Sequence, residues 1–211
     1  TLLRILAGLA GATGGEIRIG DDPIDEPHPQ IGMVFQSYAS FPWLTVLGNT
    51  LFGPDLHGVD RSESEPMARD ILERVGLSKF VDTYPTQLSG GMQQRVAIAR
   101  TLANRPDVLL MDEPFGALDA LTRVDMQELI LRLWQEERKT VVFVTHDIDE
   151  AIYLADRIVV LAPHPGRLHE IDEVQLPRPR TMETIEDPRF VELRVHLRRT
   201  LFGMKEAEAG T

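Results

Sequence analysis

Two stretches of this chain, joined by one helical run, carry residue types suited to phosphate and water chemistry. The first is Leu88-Ser89-Gly90-Gly91-Met92-Gln93-Gln94-Arg95. Ser89 is a good helix N-cap, and paired glycines let the backbone come close to a ligand. Free N–H groups at a helix start, with the helix dipole behind them, favour an anion such as phosphate. Taken alone, Ser-Gly-Gly is accounted for by the cap. The second stretch is Val108-Leu109-Leu110-Met111-Asp112-Glu113-Pro114, followed by Ala117-Leu118-Asp119-Ala120. Asp112 and Glu113 stand at the carboxyl end of an apolar strand, where open α/β sheets place their ligands. Adjacent strand residues point opposite ways, so one acid can hold a metal while the other orients a water. Taken alone, Asp-Glu-Pro reads as a solvated exit from a strand.

The elements that must position these groups follow from periodicity. Met92, Val96, Ala99 and Leu102 recur at helical spacing, which predicts an amphipathic helix over residues 91–104. The run from Val108 to Met111 does not alternate, which predicts a strand covered on both faces. Residues 31–35 form a second apolar strand ended by Gln36, and residues 140–144 a further buried strand ended by Thr145-His146-Asp147. A lone Gln or His at such a strand end reads as an ordinary loop residue. Residues 1–9 read as a helix ending near a glycine, residues 15–20 as a strand, and Asp21-Asp22-Pro23 as a turn. Helices are expected over residues 46–57, 64–76, 119–138, 149–154 and 188–202, and a hairpin over residues 157–174. Between residues 176 and 180 the chain reads as an extended basic linker, and from Met204 onward as a frayed tail. Phe41 and Trp43 lie in a Pro-containing loop; they either fill a small core or line a groove for a partner helix.

In combination, these motifs resemble the ATP-binding cassette (ABC) ATPases. Leu88 to Arg95 is similar to the family's signature motif, Val108 to Glu113 to Walker B with its catalytic Glu, and Ala117-Leu118-Asp119 to the D-loop. Gln36 matches the Gln that contacts Mg²⁺ and the attacking water, and His146 the H-loop His. The resemblance implies an α/β fold: a P-loop NTPase-type core with a mainly parallel sheet, part of an antiparallel β subdomain and an inserted helical subdomain. It implies one cassette domain over residues 1–211, with residues 37–104 as the helical insert and residues 177–211 as C-terminal linker, helix and tail. Thr1 would match the residue just after the Lys-Ser of the P-loop. The only lysines are Lys79, Lys139 and Lys205, and none follows a glycine, so Walker A is absent. The chain is therefore expected to be a fragment of a longer gene product, inactive by itself.

The resemblance further implies ATP and Mg²⁺ as cofactors and a head-to-tail dimer. Ser89, Gly90, Gly91 and Gln93 would bind nucleotide across that dimer, with Asp119 communicating between copies. Asp112 and Gln36 would support Mg²⁺; Glu113, His146 and Gln36 would form the catalytic set. Residues 34–46, Ala162 to Arg167, Leu176 to Arg180 and Asp187 to Phe190 are similar to the nitrate, sulfonate and taurine importer branch. That branch implies transmembrane permease subunits, an indirectly coupled periplasmic or surface substrate-binding protein, and a peripheral position on the cytoplasmic face of the inner membrane.

Composition sets bounds. The formal net charge of −11 argues against a nucleic-acid surface. The absence of cysteine excludes disulfides and thiolate metal sites. No apolar run approaches the ~20 residues of a membrane span, and no signal peptide is visible. A soluble cassette ATPase not coupled to transport and a non-catalytic cassette partner are the alternatives. The interval between Gln36 and Leu88 leaves no room for a long coiled coil, which weighs against the soluble class.

Overall fold

The computed structural model describes residues 1–37, 39–163 and 165–209, excepting the side chains of Lys205 and residues 207–209. Tyr38, His164, Gly210 and Thr211 lie outside the described residues; the first two belong to the loop and the hairpin turn expected from sequence. The chain divides into two units, Thr1–Val144 and Thr145–Thr211.

The first unit is built on a parallel sheet of β3 (Ile31–Val34), β4 (Val108–Asp112) and β5 (Thr140–Val144), with β4 in the middle. The register pairs Val34 with Met111 and Asp112 with Val144. Alternate β4 side chains go to opposite faces. Leu110 meets Leu3 of α1 (Leu2–Leu6) and Ala7, the residue that caps it, on one face. Leu109 and Met111 share the other with Ile98 and Leu102 of α4 (Gly90–Leu102) and Ile130 and Leu133 of α5 (Ala120–Glu137). Helices on both faces explain why β4 lacks alternation. β5, expected to be buried, is half-exposed, because it lies at the edge of this sheet.

The expected strand over residues 15–20 shrinks to β1 (Arg18–Ile19), which pairs with β2 (Asp22–Pro23) around Gly20 and Asp21. The turn therefore precedes Asp22 rather than including it. Gly20 has φ +59°, and that left-handed backbone closes the hairpin where Asp22-Pro23 cannot.

α2 (Val46–Leu56), α3 (Arg61–Arg74) and α4 lie where individual helices are expected from sequence. α4 is more enclosed than an amphipathic helix: Val96, Ala97, Ile98 and Ala99 are all buried in succession. It packs on α2, α3, α5 and β3 together, which leaves only part of its surface to solvent. Its arginines escape at the margins, Arg95 donating to the Val75 carbonyl at 2.7 Å and Arg100 to the Ala39 carbonyl at 2.6 Å. Buried Asn49 of α2 holds the preceding loop: its Nδ2 donates to the carbonyls of Phe41, Leu44 and Thr45, and its Oδ1 accepts from Phe41 N. Phe41 packs on Phe52 at 4.3 Å between ring centres, while Trp43 is 70% exposed. Phe41 thus packs inward, as one of the two readings expects, while Trp43 stays exposed.

The second unit contains α6 (Ile148–Leu154), the antiparallel pair β6 (Arg157–Ala162) and β7 (Arg167–Glu173), and α7 (Pro188–Ala209). α7 continues well beyond residue 202, through most of the stretch expected to fray. The basic linker is not a solvated tether. Arg180 is buried and donates from Nη1 to the carbonyls of Ile152, Tyr153 and Ala155 at 3.1, 3.1 and 2.6 Å. A helix C-terminus leaves such carbonyls without intrahelical partners, and its negative dipole end favours a cation. Burial pushes the Arg180 guanidinium down to about 10, which still leaves it charged at neutral pH.

Candidate functional site

Parallel pairing builds the centre of the site. The β3–β4 register, continued past the strand ends, sets Gln36 opposite Glu113. Gln36 Nε2 donates to Glu113 Oε2 at 3.4 Å, at the carboxyl edge of the sheet. Gln36 is exposed, and Asp112 and Glu113 are half-exposed. Glu113 leaves the strand with φ +43°, on the left-handed side that non-glycine residues seldom occupy. Its N–H donates to the Val144 carbonyl at 2.9 Å, and its own carbonyl accepts from Gly116 N at 3.1 Å. The backbone is thereby held on both sides, and the side chain is re-aimed relative to Asp112.

The second cluster joins the starts of α4 and α5. Ser89 is the N-cap of α4, its Oγ accepting from Met92 N at 3.4 Å. The cap is long, and the first N–H groups of a helix have no intrahelical partner, so the end remains suited to an anion. Gly91 is buried, and a Cβ there would lie 2.4 Å from Thr122 Cγ2. Thr122 is tied to Asp119, its N–H donating at 3.0 Å and its hydroxyl at 2.7 Å. These bonds hold the Asp119 carboxyl below its usual range, the backbone bond being the larger cause. Gly91 and Asp119 are thus linked through one residue, Thr122. Sequence reading missed Thr122, although an Asp followed by Thr three residues on at a helix start is a capping signal. Gln93 turns its amide back to the Leu88 carbonyl at 3.2 Å.

Thr1 precedes α1 as its N-cap without a side-chain bond. Its carbonyl accepts from Ile5 N at 3.1 Å. His146, in the second unit, is exposed and directly precedes Asp147, the N-cap of α6. Asp147 Oδ1 accepts from Asp149 N and Glu150 N, and its own N–H donates to Thr145 Oγ1. Thr-His-Asp is therefore a rigidly capped corner.

Residues 1–116 match the sequence profile of the ABC transporter family. The chain belongs to that family. As an ABC cassette it is the ATP-binding component of a transporter. It is 53% identical over 194 residues to an ABC transporter ATP-binding protein of Methanocaldococcus jannaschii, covering 92% of this chain and 72% of that one. The taurine import ATP-binding protein TauB of Pseudomonas putida is 45% identical over 214 residues, covering 98% of the cassette and 81% of TauB. Among solved structures, the dimeric post-hydrolysis state of the ATP-binding cassette MJ0796 bound to ADP and Pi has a TM-score of 0.69 and 35% identity. That alignment covers 82% of this chain and 79% of that one. The mixed α/β cassette architecture expected from sequence is thereby established. Among the described residues, no helix is long and apolar enough to cross a membrane.

Proposed function

We propose that this cassette hydrolyses ATP to energise import of a small anion, taurine or a related sulfonate being the leading candidate. The observation that carries the reading is the Gln36–Glu113 pair, 3.4 Å apart at the ends of adjacent parallel strands beside Asp112. The carboxylate of Asp112 and the carboxamide oxygen of Gln36 are hard oxygen donors, which suits Mg²⁺. Bound Mg²⁺ would neutralise charge on the β- and γ-phosphates. Glu113, re-aimed by its left-handed backbone, orients the attacking water and accepts its proton. Gln36 fixes the Glu113 carboxylate, and Asp112 would hold the ion. Ser89 and the free N–H groups at Gly90 and Gly91 stabilise charge on the transferring phosphoryl group. Gln93 braces that turn through Leu88, and Asp119 carries the state of the α4 start to a second copy. His146 holds the γ-phosphate.

A Gly-rich loop ending in Lys-Ser is not among these residues, so they do not themselves account for the phosphate cradle. In this reading residues 37–104 move as a helical subdomain, and residues 177–211 brace the C-terminal side. The partners are a second cassette, transmembrane permease subunits and, through them, a substrate-binding protein. The location is peripheral, on the cytoplasmic face of the membrane. The direction of transport and the substrate class are supported by the taurine import relatives, which align with almost the whole chain. The test is ATP hydrolysis in proteoliposomes holding the cassette with its permease. Stimulation by binding protein loaded with taurine, and not by sugar-loaded binding protein, is the expected result. Equal rates with either would overturn the substrate class.

A further inference from the structure

We infer that Glu170, Asp172 and His196 form a binding site for one divalent transition-metal ion of the zinc type, tying α7 to the β6–β7 hairpin. All three lie in the second unit, and none belongs to the proposed nucleotide site.

The first argument is one of sidedness. Glu170 and Asp172 are two residues apart on β7 and share a face. Their ladder partners are Val160 and Ile158, both buried residues of β6. The two acids therefore sit on the covered face of the hairpin. Ile171 and its partner Val159 face the other way and are 53% and 54% exposed. This inverts the usual arrangement, in which apolar residues go in and charged ones out. Two carboxylates placed side by side on a covered face call for a cation.

The second argument is one of distance. His196 Nε2 of α7 stands 3.3 Å from Glu170 Oε1 and 3.4 Å from Asp172 Oδ1. Charge-assisted N–H···O bonds are shorter, about 2.7–2.9 Å. Glu170 Oε1 and Asp172 Oδ2 are shielded from solvent and have no hydrogen-bond partner. One ligand atom from each of the three residues lies within 4.8 Å of the other two. An ion with bonds of about 2.1 Å sets tetrahedrally arranged ligands about 3.4 Å apart. The separations match the edges of such a polyhedron better than they match an ion pair.

The donor set names the class of ion. Two carboxylate oxygens and one imidazole nitrogen suit zinc and its neighbours, whereas Ca²⁺ and Mg²⁺ prefer all-oxygen shells. A neutral His196 with two carboxylates also balances a double positive charge. His196 is nearly half exposed, which leaves an entry path and an open coordination position for water.

The test is titration of the metal-stripped chain, without nucleotide, with Co²⁺ and then Zn²⁺. One equivalent of Co²⁺ should give the visible absorption of a four-coordinate site, and Zn²⁺ should displace it and raise the unfolding temperature. His196→Gln and Asp172→Asn should each weaken binding by more than about tenfold, while His169→Gln, on the same strand, should not. Circular dichroism would identify a variant that fails to fold, and the wild-type cobalt spectrum remains decisive by itself. No saturable binding, a six-coordinate spectrum, or affinity unchanged in both ligand variants would overturn the proposal.

Discussion

Replacing Glu113 by Ala and by Gly gives a pair of variants whose difference isolates the backbone. Both lack the carboxylate, so every side-chain interaction of Glu113 cancels between them. What remains is the φ of +43°. A Cβ in the left-handed region costs about 1–2 kcal/mol, which glycine avoids. Glycine also gains more freedom on unfolding, which offsets part of that. The net expectation is a Gly variant more stable than the Ala variant by about 1 kcal/mol, the reverse of the order in a helix interior. For a chain of this length, that corresponds to about 2–4 °C in melting temperature. The assay is urea unfolding followed by tryptophan fluorescence. Trp43 and Trp134, the only tryptophans, both lie in the Thr1–Val144 unit that holds residue 113. An Ala variant as stable as, or more stable than, the Gly variant would refute the claim that the site holds a strained backbone.

Gly91→Ala should destabilise that same unit by about 1–3 kcal/mol, because the new methyl meets Thr122 Cγ2 at 2.4 Å. Thr122→Ser in the same chain should recover most of the loss in urea unfolding, since it removes Cγ2 and keeps the hydroxyl on Asp119. Arg180→Met should leave the carbonyls of Ile152, Tyr153 and Ala155, at the end of α6, without their donor and cost on the order of 3 kcal/mol. Hydrogen exchange over residues 148–156 would read the loss as faster exchange there than elsewhere. The Arg189 side chain, followed by its backbone N–H, holds the Asp187 carboxyl down to about 2 from 3.8. Its folded-state value is lowered, so its stabilisation is complete above about 3.8 and lost as pH falls towards 2. Asp187→Asn should flatten that part of the acid-unfolding curve monitored by helical circular dichroism.

Motif and periodicity made much of this fold legible. β4 could be read from four apolar residues in a row because helices on both sides demand that pattern. The capped start of α4 was legible because Ser89 satisfies an N–H group locally, whereas the caps of α5 and α6, Asp119 and Asp147, were not read as caps from sequence. What else escaped sequence reading depends on contacts remote in the chain. The exposure of β5 follows from its edge position, which no local pattern encodes. Arg180 read as linker charge because its carbonyl partners lie some 25 residues earlier. Glu113's left-handed backbone could not be foreseen, since its bond to Val144 arises only when β4 and β5 pair. The extent of α4 burial escaped for the same reason: its small residues fit an amphipathic face equally well until four neighbours pack on it.

Mg²⁺-dependent ATP hydrolysis, measured on this chain joined to a Gly-rich Lys-Ser loop ahead of Thr1, tests the central claim most directly, with Glu113→Gln alongside. The account predicts turnover in the joined form, and near-complete loss in the Glu113→Gln form with ATP binding retained. Turnover unchanged by Glu113→Gln would contradict it.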